Sequence, residues 1–168
     1  RRQALRNWRK PLIVFTPKGM LRHPAAASPL SELSSGKFQT VIQDAEVPSG
    51  ERVILCSGKI GHELRAERKR RGDAGTAVVL LEQLHPLPET ELEAAIAQHA
   101  GARELLWVQE EPANMGALNY IYPQLERLAR GGRVRSVKRS PSSSPSTGSH
   151  TAHEMEQKTL LEMAFAAV

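Results

Sequence analysis

The chain has 168 residues, 40% hydrophobic and 24% charged, with 23 Lys and Arg against 18 Asp and Glu for a formal net charge of +5. That length suits one domain able to bury a sizeable core, and no apolar run approaches the roughly 20 residues that a membrane-spanning helix needs. The single cysteine, Cys56, excludes an internal disulfide framework and most cysteine-based metal sites.

The basic excess is local. Arg1, Arg2, Arg6, Arg9 and Lys10 fall in the first ten positions with no acid among them, which leaves 18 basic against 18 acidic residues in the rest. Aromatic residues make up only 4% of the chain. A basic face interleaved with stacking groups is therefore missing, and nucleic acid is not an expected partner. Residues 1–10 read as a basic linker or as the end of an upstream helix, which predicts that the chain is a piece of a larger protein. Polar and basic, they do not resemble a secretory leader.

Short apolar runs then alternate with helical patterns. Leu12–Phe15 is the first run and reads as a strand. Residues 22–44 hold Pro24 and Pro29 and read as irregular, with one small helix near Leu30–Leu33. Val53–Cys56 is the second strand, and Ile60–Arg71 the helix after it, charged on one face and stopped by Gly72. Ala77–Leu81 is the third strand. Pro88 starts a helix over Glu89–His99, with Glu89, Glu91 and Glu93 near its positive end. Leu105–Val108 is the fourth strand. Leu118, Ile121, Leu125 and Leu128 recur at helical spacing within Gly116–Arg130, ahead of Gly131–Gly132. Val134–Val137 is a weaker fifth strand. Residues 140–149 are rich in Ser and Pro and form either a disordered stretch or an ordered loop before a helix over His153–Ala166. The middle three strands lack polar alternation, as strands covered on both faces do. Strand and helix in this order predict an α/β sandwich on a largely parallel sheet with right-handed crossovers.

Several loops carry candidate chemistry. Ser57-Gly58-Lys59 follows a strand and opens a helix, where free N–H groups can hold an anion. It lacks the full phosphate-loop pattern and equally suits a tight turn. Glu110, Glu111 and Asn114 follow the fourth strand, at the carboxyl edge where ligands of such folds bind. With no adjacent nucleophile, the two acids read as helix caps or interface groups before an acid–base pair. His150 and His153 stand three apart but lack a third metal ligand, and Thr151 with Glu154 has capping-box spacing. Lys18, Arg22 and His23 crowd the loop after the first run. Arg127, Arg130, Arg133, Arg135, Lys138 and Arg139 form an acid-free series that runs into Ser144, Thr147 and their loop. Cations, hydroxyls and a helix start make either a phosphate or carboxylate pocket or a solvated basic face. Cys56 sits in an apolar run and reads as inert core. No Gly-x-Ser-x-Gly elbow is present. The residues alone give an α/β domain with anion-friendly loops and no self-contained catalytic set, which leaves an independent anion- or nucleotide-binding module as an alternative.

Five motifs in order add a resemblance: Lys10-Pro-Leu-Ile-Val-Phe-Thr-Pro-Lys-Gly-Met-Leu-Arg-His-Pro24, Val53-Ile-Leu-Cys-Ser-Gly-Lys59, Glu82-Gln-Leu-His-Pro-Leu-Pro88, Trp107-Val-Gln-Glu-Glu-Pro-Ala-Asn-Met-Gly116, and Ser144-Pro-Ser-Thr-Gly148 with Glu156-Gln157. Together the chain resembles the C-terminal domain of the E1 component of 2-oxoglutarate dehydrogenase. The resemblance implies a transketolase C-terminal-like fold over residues 11–168, a three-layer sandwich with a five-stranded, mostly parallel mixed sheet. It implies a part of a thiamine-diphosphate enzyme that decarboxylates 2-oxoglutarate in the tricarboxylic acid cycle and passes the succinyl group to a lipoyl-bearing E2 component. Thiamine diphosphate and Mg²⁺ belong to upstream catalytic domains of such an enzyme, so no catalytic, cofactor or metal residue is expected in this chain and the fragment alone is expected to be inactive. The implied roles are packing against those domains, ordering an E1 homodimer, and binding an acetyl-CoA or AMP effector. Lys18, Arg22 and His23, then Arg139, Ser144 and Thr147, are the candidates for that anion site. Glu110, Glu111 and Asn114 are the candidates for the interface. The expected compartment is the bacterial cytoplasm, or the mitochondrial matrix for a eukaryotic source. Gly19, Ile60-Gly61-His62 and Leu118 depart from the family's usual residues and bear on packing more than on chemistry.

Overall fold

The computed structural model describes residues 5–129 and 131–166, in two compact units, Arg1–Ser35 and Gly36–Val168. In the first unit residues 9–17 form neither helix nor strand; 3-10 turns follow at Lys18–Arg22 and Pro24–Ala26, and α1 spans Leu30–Ser35. Leu12–Phe15 is thus not a strand here, against the expectation from its apolar run. Its side chains are exposed, and among the described residues no backbone partner takes up its N–H and C=O groups.

The second unit holds a five-stranded sheet: β1 (Val41–Ile42), β2 (Arg52–Cys56), β3 (Thr76–Leu81), β4 (Glu104–Pro112) and β5 (Arg133–Arg139), in spatial order β1-β3-β2-β4-β5. Only β1 is antiparallel, pairing Val41 with Leu81. The parallel register sets Ile54 beside Val78 and Leu106. The fold class and strand number match expectation, and the weak fifth run is β5, but the first strand is β1, within the stretch read as irregular, and not Leu12–Phe15. The helices are α2 (Ile60–Arg71), α3 (Glu89–Ala97), α4 (Leu118–Leu128) and α5 (His150–Ala164).

Each central strand is apolar on both faces, so its alternating residues feed two cores. Val53, Leu55, Val79, Leu81, Leu105 and Trp107 pack with Leu92 and Ala95 of α3 and with Leu118, Ile121, Leu125 and Leu128 of α4. Ile54, Cys56, Val78, Leu80, Leu106 and Val108 pack with Ile60 and Leu64 of α2 and with Leu160 and Ala164 of α5. Two helices per face give the three layers. α2 lies close to the sheet because Gly61 has no side chain: a Cβ there would stand 2.8 Å from Leu80 Cγ. It ends at Gly72, whose φ of +65° lets its N–H reach Arg68 and Lys69 carbonyls. α5 starts at His150, earlier than expected, since Ser149 Oγ accepts from Ala152 N at 3.4 Å. Thr151 and Glu154 therefore lie inside the helix and do not form the capping box.

A buried ion pair holds the β1 side of the sheet. Arg68, nearly inaccessible on α2, pairs with buried Asp44 and also with Glu46. Asp44 accepts from Val78 N at 2.7 Å, and Arg65 donates to Gln43 O at 3.1 Å and Val78 O at 3.0 Å. Strand β1 is only two residues long; these contacts from α2 keep its continuation against β3.

Candidate functional site

Parallel pairing puts the carboxyl ends of β2, β4 and β5 along one edge, where side chains from separate loops meet. Lys59, in the turn after β2, pairs with Glu63 one helical turn on and with Glu110 of β4 at 2.7 Å. Burial opposes the charge on Lys59, but the bonds to Glu110 and Glu63 outweigh it and hold its pKa above the ordinary lysine value. Gln157 of α5 donates to Glu63 Oε2 at 2.6 Å and Glu110 Oε1 at 3.0 Å and accepts from Arg139 Nη2 at 2.8 Å. Arg139 also lies 3.1 Å from His153 Nδ1 and 3.3 Å from Glu156. A guanidinium only donates, so His153 Nδ1 accepts here. The resulting network joins α2, β4, β5 and α5.

These contacts decide among the sequence alternatives. Lys59 faces two carboxylates, so Ser57-Gly58-Lys59 serves as a turn with an internal ion pair and does not offer an anion cradle. His150 turns to Glu154 at 3.6 Å while His153 meets a cation, and the two do not converge on a metal. Among the described residues no cluster of three or more His, Cys, Asp or Glu could hold a metal ion. Burial pushes the Cys56 thiol up to about 12, with Arg65 opposing and Glu82 reinforcing, so at neutral pH it is an unreactive thiol.

The loop after β4 is fixed from within. Trp107, fully buried, donates its Nε1–H to Gln109 Oε1 at 3.0 Å, and Gln109 Nε2 donates to the carbonyls of Pro112 at 3.2 Å and Met115 at 2.8 Å. Gly116 closes the turn with φ +69°, and a Cβ there would stand 3.0 Å from Gln109 Nε2. Asn114 is tied to the Ser/Pro loop by two bonds: its Nδ2 donates to Ser142 O at 2.9 Å, and its Oδ1 accepts from Ser142 N at 3.0 Å. Glu111 stays exposed.

Beyond that tie lies a groove of about 670 Å³ between the Ser/Pro loop and α5. Lys138, Arg139, Ser144 and Thr147 line it, with Met155 and Met163 supplying apolar surface. Thr147 Oγ1 donates to Glu156 at 2.5 Å, and Ser144 Oγ donates to Ser146 O at 2.8 Å, so the loop is ordered. The buried Nε–H of Arg139 has no hydrogen-bond partner among the described residues. Arg139, Ser144 and Thr147 thus line one groove. Lys18, Arg22 and His23 fall in the other unit, exposed, with His23 Nδ1 accepting from Ala25 N at 3.2 Å to start the second 3-10 turn. Sequence reading missed the joint role of Lys59, Glu63 and Gln157. Only the Lys59–Glu63 spacing of one helical turn signalled it. Leu118 is buried in the core beside a shallow hollow of about 310 Å³.

Comparison with known proteins gives one family. The family model described as "2-oxoglutarate dehydrogenase C-terminal" matches residues 27–165. The chain is 42% identical over 170 residues to the 2-oxoglutarate dehydrogenase E1 component of Cupriavidus necator, covering 99% of this chain and 18% of that protein. It is 39% identical to an oxoglutarate dehydrogenase of Buchnera aphidicola over 96% of this chain and 18% of the relative. The mitochondrial 2-oxoglutarate dehydrogenase of Caenorhabditis elegans is 40% identical over 98% of this chain and 17% of its own length. The chain thus spans less than a fifth of the curated relatives that it matches.

Proposed function

The chain belongs to the 2-oxoglutarate dehydrogenase C-terminal family, and from that premise we propose that it is the C-terminal structural and interface domain of a 2-oxoglutarate dehydrogenase E1 component. The parent enzyme oxidatively decarboxylates 2-oxoglutarate and transfers the succinyl group to the lipoyl arm of an E2 component. This domain has no turnover of its own; it packs against the upstream domains of its polypeptide and contributes to an E1 homodimer. The observation that carries the reading is the match of nearly the whole chain to under a fifth of each relative. Two features support it. The titratable groups at the carboxyl edge, Lys59, Glu63, Glu110 and Arg139, are committed to one another. Large apolar side chains such as Trp8, Leu21, Leu30 and Phe38 are exposed, as surface meant for neighbours is. Glu111, with Glu110 and Asn114 behind it, belongs to the face turned to those neighbours.

Thiamine diphosphate and Mg²⁺ do not fit the groups here. A diphosphate at Lys59 would face two carboxylates, and those carboxylates already hold Lys59 and Gln157, so the cofactor is assigned to the remainder of the enzyme. The effector site is the groove at Arg139, Ser144 and Thr147, supported by the unpartnered Arg139 Nε–H beside loop hydroxyls; Lys18, Arg22 and His23 form a second cationic surface. Acetyl-CoA or AMP is the proposed ligand, and the bacterial cytoplasm the proposed compartment. No described helix is long and apolar enough to cross a membrane.

The direct test is a 2-oxoglutarate decarboxylation assay with added thiamine diphosphate and Mg²⁺. Turnover is expected from the full-length enzyme and none from the 168-residue chain. Decarboxylation by the chain alone overturns the reading. Calorimetry of the full-length enzyme with acetyl-CoA and with AMP tests the groove: heat that Arg139→Ala abolishes supports it, and no heat with either ligand removes the effector role.

A further inference from the structure

The amino edge of the sheet holds a second cavity, of about 330 Å³, between the end of α3, the start of β4 and the turn from α4 into β5. It shares no lining residue with the groove at Arg139. Ile96, Leu105 and Leu128 give it apolar walls. His99 also lines it and is only 3% exposed. Nδ1 of that ring accepts from Gly50 N at 2.9 Å, which puts the hydrogen of the neutral ring on Nε2. The Nε2–H is buried and has no hydrogen-bond partner among the described residues. A buried donor without an acceptor is costly, and an acceptor that enters the cavity removes that cost.

Charge selects the kind of acceptor. Arg133 lines the cavity, is exposed, and enters no ion pair among the described residues. Arg103 beside it reaches only as far as Glu51, at 3.6 Å, with both side chains exposed. Two acids line the cavity as well. Glu104 is buried, and its charge is offset by Arg52 Nε at 2.7 Å and Arg135 Nη1 at 3.3 Å. Glu93 is exposed on α3 and already has a partner. The uncommitted charge is therefore positive, and a carboxylate offers acceptor oxygens both to a guanidinium and to an imidazole N–H. The volume lies at the lower end of small-molecule sites and admits an aliphatic chain of a few carbons. Ala97, Ala129 and Gly132 are small, and the two arginines are long and exposed, so the entrance can widen without backbone movement. We infer that this cavity binds a small aliphatic monocarboxylate, with its chain against Ile96, Leu105 and Leu128 and its carboxylate toward Arg133 and the His99 Nε2–H. The inference goes beyond the proposed E1 role and draws on neither that role nor the effector groove.

Saturation-transfer NMR with butanoate, on the native polypeptide that carries residues 1–168, tests it. The butanoate methyl resonance should be saturated. The dissociation constant should rise about tenfold or more in Arg133→Gln, and by a similar factor for uncharged butanamide on the unaltered protein. Ala97→Leu, at an exposed helical position, fills the cavity and should abolish the signal, while Arg139→Ala should leave it unchanged. No saturation of butanoate overturns the inference. So does a signal that survives either Arg133→Gln or Ala97→Leu undiminished, which marks binding elsewhere. Equal binding of butanamide removes the role of charge, and loss of the signal in Arg139→Ala moves the ligand to the groove; either result also overturns it. None of these outcomes bears on decarboxylation by a longer polypeptide, so the E1 reading stands or falls separately.

Discussion

Gln109 shows how one side chain can organise a loop. It accepts from the buried Trp107 indole and its amide nitrogen donates to the loop carbonyls of Glu111, Pro112 and Met115, a combination that only an amide supplies. Gln109→Ala leaves the indole N–H buried without a partner and should cost about 1–3 kcal/mol. Gln109→Glu keeps the acceptor and loses the donor, so it should not restore stability; urea unfolding followed by tryptophan fluorescence checks this, and a wild-type midpoint for Gln109→Glu would contradict it. His99 and Asp73 both contribute stability that acid removes. Burial, partly opposed by Asp44, holds the His99 pKa below the ordinary 6.5, while its Nδ1 accepts from Gly50 N at 2.9 Å. Burial raises Asp73, but bonds from the Thr76 hydroxyl and the Gly75 and Thr76 N–H groups outweigh it and hold the pKa below the ordinary 3.8. Both folded-state values are depressed. The His99 contribution is therefore complete above pH 6.5 and lost as pH falls below it, and that of Asp73 is complete above pH 3.8 and lost below. The melting temperature should fall from pH 7 to pH 5, and His99→Gln, which keeps an acceptor for Gly50, should flatten that slope. An unchanged slope would contradict the assignment.

At the scale of elements, the strands most legible in the sequence were those buried on both faces, while β5, only partly buried, gave the weaker signal at Val134–Val137. β2, β3 and β4 each contain a continuous apolar run, Val53–Cys56, Ala77–Leu81 and Leu105–Val108, and α4 shows its stripe at Leu118, Ile121, Leu125 and Leu128. β1 was not legible, because two residues carry no period and its place depends on Asp44 and Gln43 meeting side chains of α2 more than twenty positions on. Arg68→Met should therefore cost about 3–5 kcal/mol by leaving Asp44 uncompensated, and adding Asp44→Leu should recover part of that loss. An additive double variant in denaturant unfolding would contradict the pairing. Gly61→Val tests the approach of α2 to Leu80 and should cost about 1–3 kcal/mol from overcrowding. The groove was half legible for the same reason as β1. The Arg139 and Ser144–Thr147 residue types announce anion chemistry, but the tie through Gln157 to Glu63 and Glu110 exists only once four elements pack.

At the scale of the whole molecule, Leu12–Phe15 has the residues of a strand and no sheet among the described residues, and the carboxyl edge of the sheet holds ion pairs closed on themselves. Both fit the proposal that these residues are one part of a longer polypeptide. The most direct measurement is intact-mass spectrometry of the protein purified from its source by 2-oxoglutarate-dependent activity. The account predicts that residues 1–168 are recovered within a polypeptide several times longer, in line with the 18% share of the Cupriavidus necator relative that they match. Recovery of that activity in a free polypeptide of 168 residues would contradict it.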